Sequence, residues 1–195
     1  MSSQIDQQLI DNVELLAPAG GFEALDAAIK AGANAIFFGV KGLNMRANVK
    51  DQFEIEDIPS IVEQCHQNNV AAYLALNTLV YDEDLERMHQ VIDAAKDGGV
   101  DALILFDLSV IDYAKQSGLE VHISTQHSIS NIEAVKLFSQ WADRVVLARE
   151  LTLEQIKRIT DQIKEQDVRG PKGNLMEVEI FIHGAMCVSV SGRCG

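Results

Sequence analysis

Short apolar runs and amphipathic stretches alternate along the chain, with a repeat of about 25 to 30 residues. The apolar runs are VELLAPA (13–19), NAIFFGV (34–40), AAYLALN (71–77), DALILFD (101–107), EVHISTQ (120–126), RVVLARE (144–150) and EVEIFIHG (177–184). They are short, rich in β-branched or aromatic residues and apolar almost throughout, the pattern of strands covered on both faces. The stretches between them repeat apolar positions at helical spacing. In GFEALDAAIKAG these are Phe22, Leu25, Ala28 and Ile29, and the pattern stops at Gly32. IEDIPSIVEQCHQNN, EDLERMHQVIDAAKDGG, SVIDYAKQSG, NIEAVKLFSQWA and LTLEQIKRITDQIKEQ follow the same logic. Thr152 is placed to cap the last of these, with Gln155 at the capping-box position.

Strict alternation of strand and helix implies parallel strands joined by right-handed crossovers. Seven strands are one short of a closed eight-stranded barrel. A doubly wound open sheet is the competing arrangement, but no G-x-G-x-x-G follows the first strand, which removes its dinucleotide-binding form. The expectation is an α/β fold, a parallel TIM-type (β/α) barrel of seven units lacking the last. It would occupy residues 13–195 after a polar leader at 1–12. An open barrel leaves strand edges unpaired. The 195 residues therefore read as a fragment, marginally stable unless a further unit closes it.

Composition narrows the function classes. The chain is 47% hydrophobic and 23% charged with three prolines, as in a compact domain. No apolar run has the length of a membrane span, and MSSQIDQQLIDNVE lacks the basic-then-apolar order of a secretory signal. Three cysteines, an odd number, suit a reducing compartment better than a disulfide framework. The expected address is cytoplasmic. The net charge of -13 is concentrated in residues 1–100, with 6 basic and 16 acidic side chains, against 10 and 13 in the remainder. Such a surface repels a phosphate backbone.

In parallel barrels the reactive groups stand at the C-terminal ends of the strands. Those ends carry Ala17–Gly20, Gly39, Asn77, Asp107, Ser124, Thr125, Gln126, Arg149, Glu150, His183 and Gly184. Polar strand ends also serve as plain caps, so the set reads as a lining before any one residue reads as a catalyst. The longest connection, KGLNMRANVKDQF, brings Lys41, Arg46 and Lys50 into the most acidic half of the chain. They would suit an anion, or simply face solvent. Cys65 and His66 fit a buried structural thiol beside a surface imidazole. His89 and His127 call for no role beyond helix and loop, and His122 reads as a satisfied barrel residue.

The final segment, EIFIHGAMCVSVSGRCG, places Cys187 and Cys194 with six residues between them, among Gly184, Gly192 and Gly195. Glycines there permit tight bends and close backbone approach to a bulky group. Two thiolates do not complete a site, since structural zinc takes four ligands and an iron–sulfur cluster usually four cysteines. Either more ligands follow Gly195, or the two form a redox pair, or they are inert.

At these residues the sequence resembles peptidase family U32, the collagenase-like group. The pattern is a Glu, a Phe two residues on, Gly-small-aliphatic-Cys, then Gly and Cys after fixed gaps. Glu179, Phe181, Gly184, Ala185, Met186, Cys187, Gly192 and Cys194 meet it, and ELLAPAG, ISTQ and VVLARELTLEQI extend the likeness upstream. The resemblance implies the barrel fold and two different activities. One is proteolysis of collagen-like substrates. The other is hydroxylation of tRNA or ribosomal RNA bases, or of a quinone ring, with a 4Fe-4S cluster on four cysteines and, for RNA, prephenate as co-substrate. Cys187 and Cys194 would be the first two ligands, and HGAMC is nearest the tRNA 5-hydroxyuridine members. Lys41, Arg46, Asn77 and Arg149 are the substrate-binding candidates; Arg46 and Arg149 carry planar forks that suit carboxylate or phosphate. Catalytic candidates are His183, Glu150, Arg149 and Gln126.

Hydroxylation of an RNA base accounts best for the paired cysteines, with tRNA or rRNA as partner. Proteolysis would need Ser189, Ser191 or Cys187 as nucleophile and His183 as base. Four residues along an extended strand separate His183 from Cys187 too far for a hydrogen bond, and neither H-E-x-x-H nor G-x-S-x-G occurs. A third reading is a truncated chain that turns nothing over.

Overall fold

The computed structural model describes residues 13–42, 53–184 and 189–192. Seven strands appear where the apolar runs place them: β1 Leu16–Ala19, β2 Ala35–Phe38, β3 Ala71–Leu76, β4 Ala102–Leu105, β5 Glu120–Ile123, β6 Arg144–Val146 and β7 Glu177–Glu179. They form one sheet in sequence order, and every neighbouring pair is parallel. Six helices provide the crossovers: α1 Phe22–Lys30, α2 Ile58–Gln67, α3 Leu85–Asp97, α4 Leu108–Ser117, α5 Ile132–Phe138 and α6 Leu153–Glu165. Among the described residues no helix is long and apolar enough to cross a membrane.

Local signals set the helix ends. Thr152 accepts from the Gln155 amide while the Gln155 side chain accepts from the Thr152 amide, so the expected capping box is present. Gly32, Gly99 and Gly118 follow α1, α3 and α4 with φ of +89°, +77° and +79°, the left-handed turn that swings the chain back into a strand. Asp107 caps α4 by accepting from the Ser109 amide.

Strand alternation divides the core in two. Ile36, Phe38, Ala72, Leu74, Leu103, Leu105, Val121, Ile123 and Val145 face the helices and build the main cluster with Leu25, Ile58, Ile61, Met88, Ile92 and Ile159. The opposite face buries a smaller cluster of Ala35, Tyr73, Ala75, Ala102 and Ile104. That second face is the interior of a curled sheet. Arg144, on β6, donates to Glu14, just before β1, at 2.5 Å. In a flat sheet those strands would stand five spacings apart, about 24 Å. The seven strands thus form a half-barrel of the TIM type.

Each strand is shorter than its apolar run, and β6 and β7 end furthest before the run does. β6 stops at Val146 and β7 at Glu179, where the ladder closes with the Leu147 amide on the Glu179 carbonyl. Beyond Val146 the chain turns toward Glu150 and offers β7 no further partner. Ile180, Phe181 and Ile182 are consequently exposed rather than sheet-bound.

Candidate active site at the C-terminal end of the barrel

The ends of β4, β5 and β6 set the geometry. After β5 the chain enters a one-turn helix, Thr125–His127, in which the Ser124 hydroxyl donates to Gln126 Oε1 at 2.9 Å and both residues are buried. The Thr125 hydroxyl donates to the Leu147 carbonyl at 3.2 Å, tying this turn to the end of β6. His127 lies between the rings of Phe106 and Phe138, with Nε2 2.6 Å from the Phe106 carbonyl oxygen. Asp107, after β4, accepts from the Ser109 amide and hydroxyl and from the Val80 amide. Burial pushes its carboxyl up, but these donors together carry it below its usual value.

Arg149 and Glu150, after β6, hold a turn that lies between the two motif cysteines in sequence. Arg149 Nη2 donates to the Ser189 carbonyl at 3.1 Å, and the guanidinium stands 5.9 Å from the Phe181 ring centroid. Its Nε is buried without a hydrogen-bond partner. Glu150 accepts the Ser191 amide on one oxygen and the Ser191 hydroxyl on the other, each at 2.6 Å. These bonds hold its carboxyl below the ordinary glutamate value. Ser191 is fully buried with φ of +46°, and the Val190–Gly192 turn around it packs on the Thr125–His127 turn. Gln126, Arg149, Glu150 and the Ser189–Gly192 stretch thus converge at one end of the barrel.

The other candidates are placed differently. Lys41 pairs with Glu54 at 3.2 Å, and its carbonyl takes a bond from Arg87. Asn77 is half-buried directly after β3, and His183 is exposed after β7. Arg46, Cys187 and Cys194 lie outside the described residues, as do Lys50 and the leader at 1–12.

Cys65 belongs to the helix-side core. Burial, with Asp101 nearby, pushes its thiol up to about 11. Among the described residues no group of three or more His, Cys, Asp and Glu side chains is placed to hold a metal ion.

A second polar cluster, not anticipated from the sequence, lies inside the barrel at the opposite, N-terminal end of the strands. Arg144 donates to Glu14 at 2.5 Å and to Glu177 at 2.5 and 2.8 Å, and its guanidinium stands 5.5 Å from the Tyr73 ring centroid. The Tyr73 hydroxyl donates to Glu14 at 2.8 Å. His122 is fully enclosed and burial favours its neutral form; its Nε2 meets Glu120 at 3.0 Å. That contact and an ion pair with Lys172 hold Glu120 well below the carboxylate range. His122 is thus satisfied on one side only, because Nδ1 has no partner.

Comparison with known proteins agrees with this fold. The family profile of peptidase family U32 matches residues 20–195. A collagenase of Porphyromonas gingivalis is 46% identical over 185 residues, covering 95% of this chain and 45% of the relative. The tRNA hydroxylation protein P1 of Bacillus subtilis is 36% identical over 184 residues, covering 93% of this chain and 41% of the relative. The chain thus spans less than half the length of either. A solved structure described as a U32 peptidase superposes with a TM-score of 0.63 at 15% identity, over 76% of this chain and 64% of that one, a likeness of fold.

Proposed function

The chain belongs to peptidase family U32, and from that premise we propose that its gene product hydroxylates an RNA base, of the tRNA 5-hydroxyuridine type, with a 4Fe-4S cluster that takes Cys187 and Cys194 as two of its ligands. The observation that carries this reading is the grip of Arg149 and Glu150 on Ser189 and Ser191, the residues between the two cysteines. A segment held by one cation and one carboxylate at the reactive end of a barrel suits a bound centre better than a loose loop does. The cluster would supply electron or radical chemistry, while the barrel orients the substrate. Arg149, with an unpartnered Nε–H, suits a carboxylate such as those of prephenate, the co-substrate that the family resemblance implies. The net charge of -13 opposes a phosphate backbone, so this reading assigns the grip on tRNA or rRNA to sequence outside these 195 residues.

Proteolysis is the second reading, favoured by the greater identity to the Porphyromonas collagenase. Its difficulty is chemical. Ser191 is fully buried with its hydroxyl on Glu150, and His183 is exposed, so Ser191 and His183 do not form the nucleophile–base pair that reading needs.

The test is anaerobic purification of the complete gene product, followed by iron, sulfide and visible absorption, beside Cys187→Ala and Cys194→Ala. The reading expects a broad visible band that either substitution removes. No iron in any preparation, with gelatin cleaved by the same protein, would replace it with the peptidase reading.

A further inference from the structure

We infer that the exposed face of Phe181 is a stacking platform for the nucleobase on which the protein acts, with Arg149 behind the ring as its positioning residue. The platform deepens the RNA-base reading and rests on it for the identity of the planar ligand. Large apolar side chains that stay exposed gather in the connections that follow strands. Leu79 and Tyr81 follow β3, Leu108 follows β4, Leu153 follows β6 and Phe181 follows β7. This is the reactive end of a parallel barrel. The two described cations expected there are engaged, since Lys41 pairs with Glu54 and Arg149 donates to the Ser189 carbonyl. With a net charge of -13 behind it, such a face offers more to the uncharged plane of a base than to a phosphate.

Phe181 has the geometry that a plane requires. Its ring is 53% exposed, and the Arg149 guanidinium stands over one face at 5.9 Å from the centroid, which leaves the other face to solvent. Arg149 is itself fixed by its bond to the Ser189 carbonyl at 3.1 Å. A ring backed in this way is set before the ligand arrives, so a base landing on it loses little freedom beyond its own. Phe181 also comes two residues after Glu179, where β7 ends, and this puts the ring beside Arg149 at the end of the barrel where chemistry is expected. A base that is to react must leave its own stack, and stacking on an aromatic side chain offsets part of that cost. The burial of apolar side chains in a folded core gives no reason for a half-exposed phenylalanine here, because the sheet has already ended at Glu179.

The experiment uses the complete gene product as wild type, Phe181→Ala, Phe181→Leu and Phe181→Tyr, with folding checked by melting temperature. Binding is measured to an RNA hairpin whose loop carries uridine as its only base, and to the same hairpin with that uridine made abasic. Phe181→Ala is expected to weaken binding of the uridine hairpin about tenfold, the size of one base stacked on an aromatic ring. Phe181→Leu keeps apolar bulk without a flat face and should lose nearly as much, whereas Phe181→Tyr should stay within about twofold of wild type. The abasic hairpin should bind all four proteins alike. Equal binding of the uridine hairpin by wild type and Phe181→Ala would overturn the platform, as would an equal loss on the abasic hairpin or no binding of either hairpin by wild type. Should Phe181→Ala not fold, wild-type binding by Phe181→Leu would do the same. A proline-rich collagen-like peptide whose binding depends on Phe181 where the hairpin's does not would assign the ring to a peptide instead. A gene product without iron that still shows the Phe181-dependent difference between the hairpins would remove the cluster reading and leave the platform standing. An iron-loaded product that hydroxylates RNA without that difference would do the reverse.

Discussion

Replacing Glu179 by Gln should stabilise the protein at alkaline pH and leave it nearly unchanged near pH 5. Glu179 lies on the interior face of β7 with its side chain 19% exposed, and its Oε2 has no hydrogen-bond partner. Arg144 Nη1 is 4.0 Å away, but the Arg144 donors point to Glu14 and Glu177 at 2.5 Å. Burial therefore dominates and pushes the Glu179 carboxyl up to about 7; the Arg144 charge lowers it in part, and Glu14 raises it. Between 4.5, the value taken for the unfolded chain, and about 7, the native chain holds a proton that the unfolded chain has released. Stability that is complete below 4.5 is therefore lost as pH rises through 7. At 1.36 kcal/mol per pKa unit the loss is about 3 kcal/mol at most. An amide mimics the protonated acid at every pH. Urea unfolding midpoints near pH 5 and pH 8 for both proteins test this, because groups common to the two cancel in the difference. The Gln variant should gain up to about 3 kcal/mol at the higher pH. An equal difference at both pH values would refute the reasoning.

Three further outcomes follow from the packing. Arg144→Ala would leave Glu14 and the mostly buried Glu179 without their shared cation, and should cost about 1 to 3 kcal/mol in denaturant unfolding. In Gly170→Ala a Cβ would meet Asp143 Oδ1 at 2.5 Å, Asp143 Cα at 2.7 Å and the Ala142 carbonyl at 2.9 Å, so backbone must move. A loss of about 1 to 3 kcal/mol is expected by the same assay. Thr152→Ala removes one half of the α6 capping box and should cost about 1 kcal/mol, visible as a lowered melting temperature.

The strands β2 to β5 were legible because they are buried on both faces, which writes a continuous apolar run into the sequence. The ends of β6 and β7 were not, since apolarity at Leu147 and Ala148 reflects burial beyond the ladder and that of Ile180–Ile182 reflects no burial at all. Arg149, Glu150 and Gln126 could be read as polar residues closing apolar runs. The left-handed turn at Ser191 could not, because Gly192 beside it accounts for a tight bend without requiring that a serine take that conformation. The Arg144 cluster was equally hidden. Glu14, Glu120, Arg144, Glu177 and Glu179 each look like an ordinary polar residue at a strand edge. Only the curl of the sheet, which brings β6 beside the approach to β1, makes them neighbours.

The central claim, hydroxylation of an RNA base with the help of Cys187 and Cys194, is tested most directly by mass spectrometry of tRNA and rRNA nucleosides. The samples would come from a strain lacking the gene, complemented with wild type or with Cys187→Ala. The account predicts that the deletion loses a nucleoside heavier than its parent by one oxygen atom, that wild type restores it, and that Cys187→Ala does not. An unchanged set of hydroxylated nucleosides in the deletion strain would contradict it.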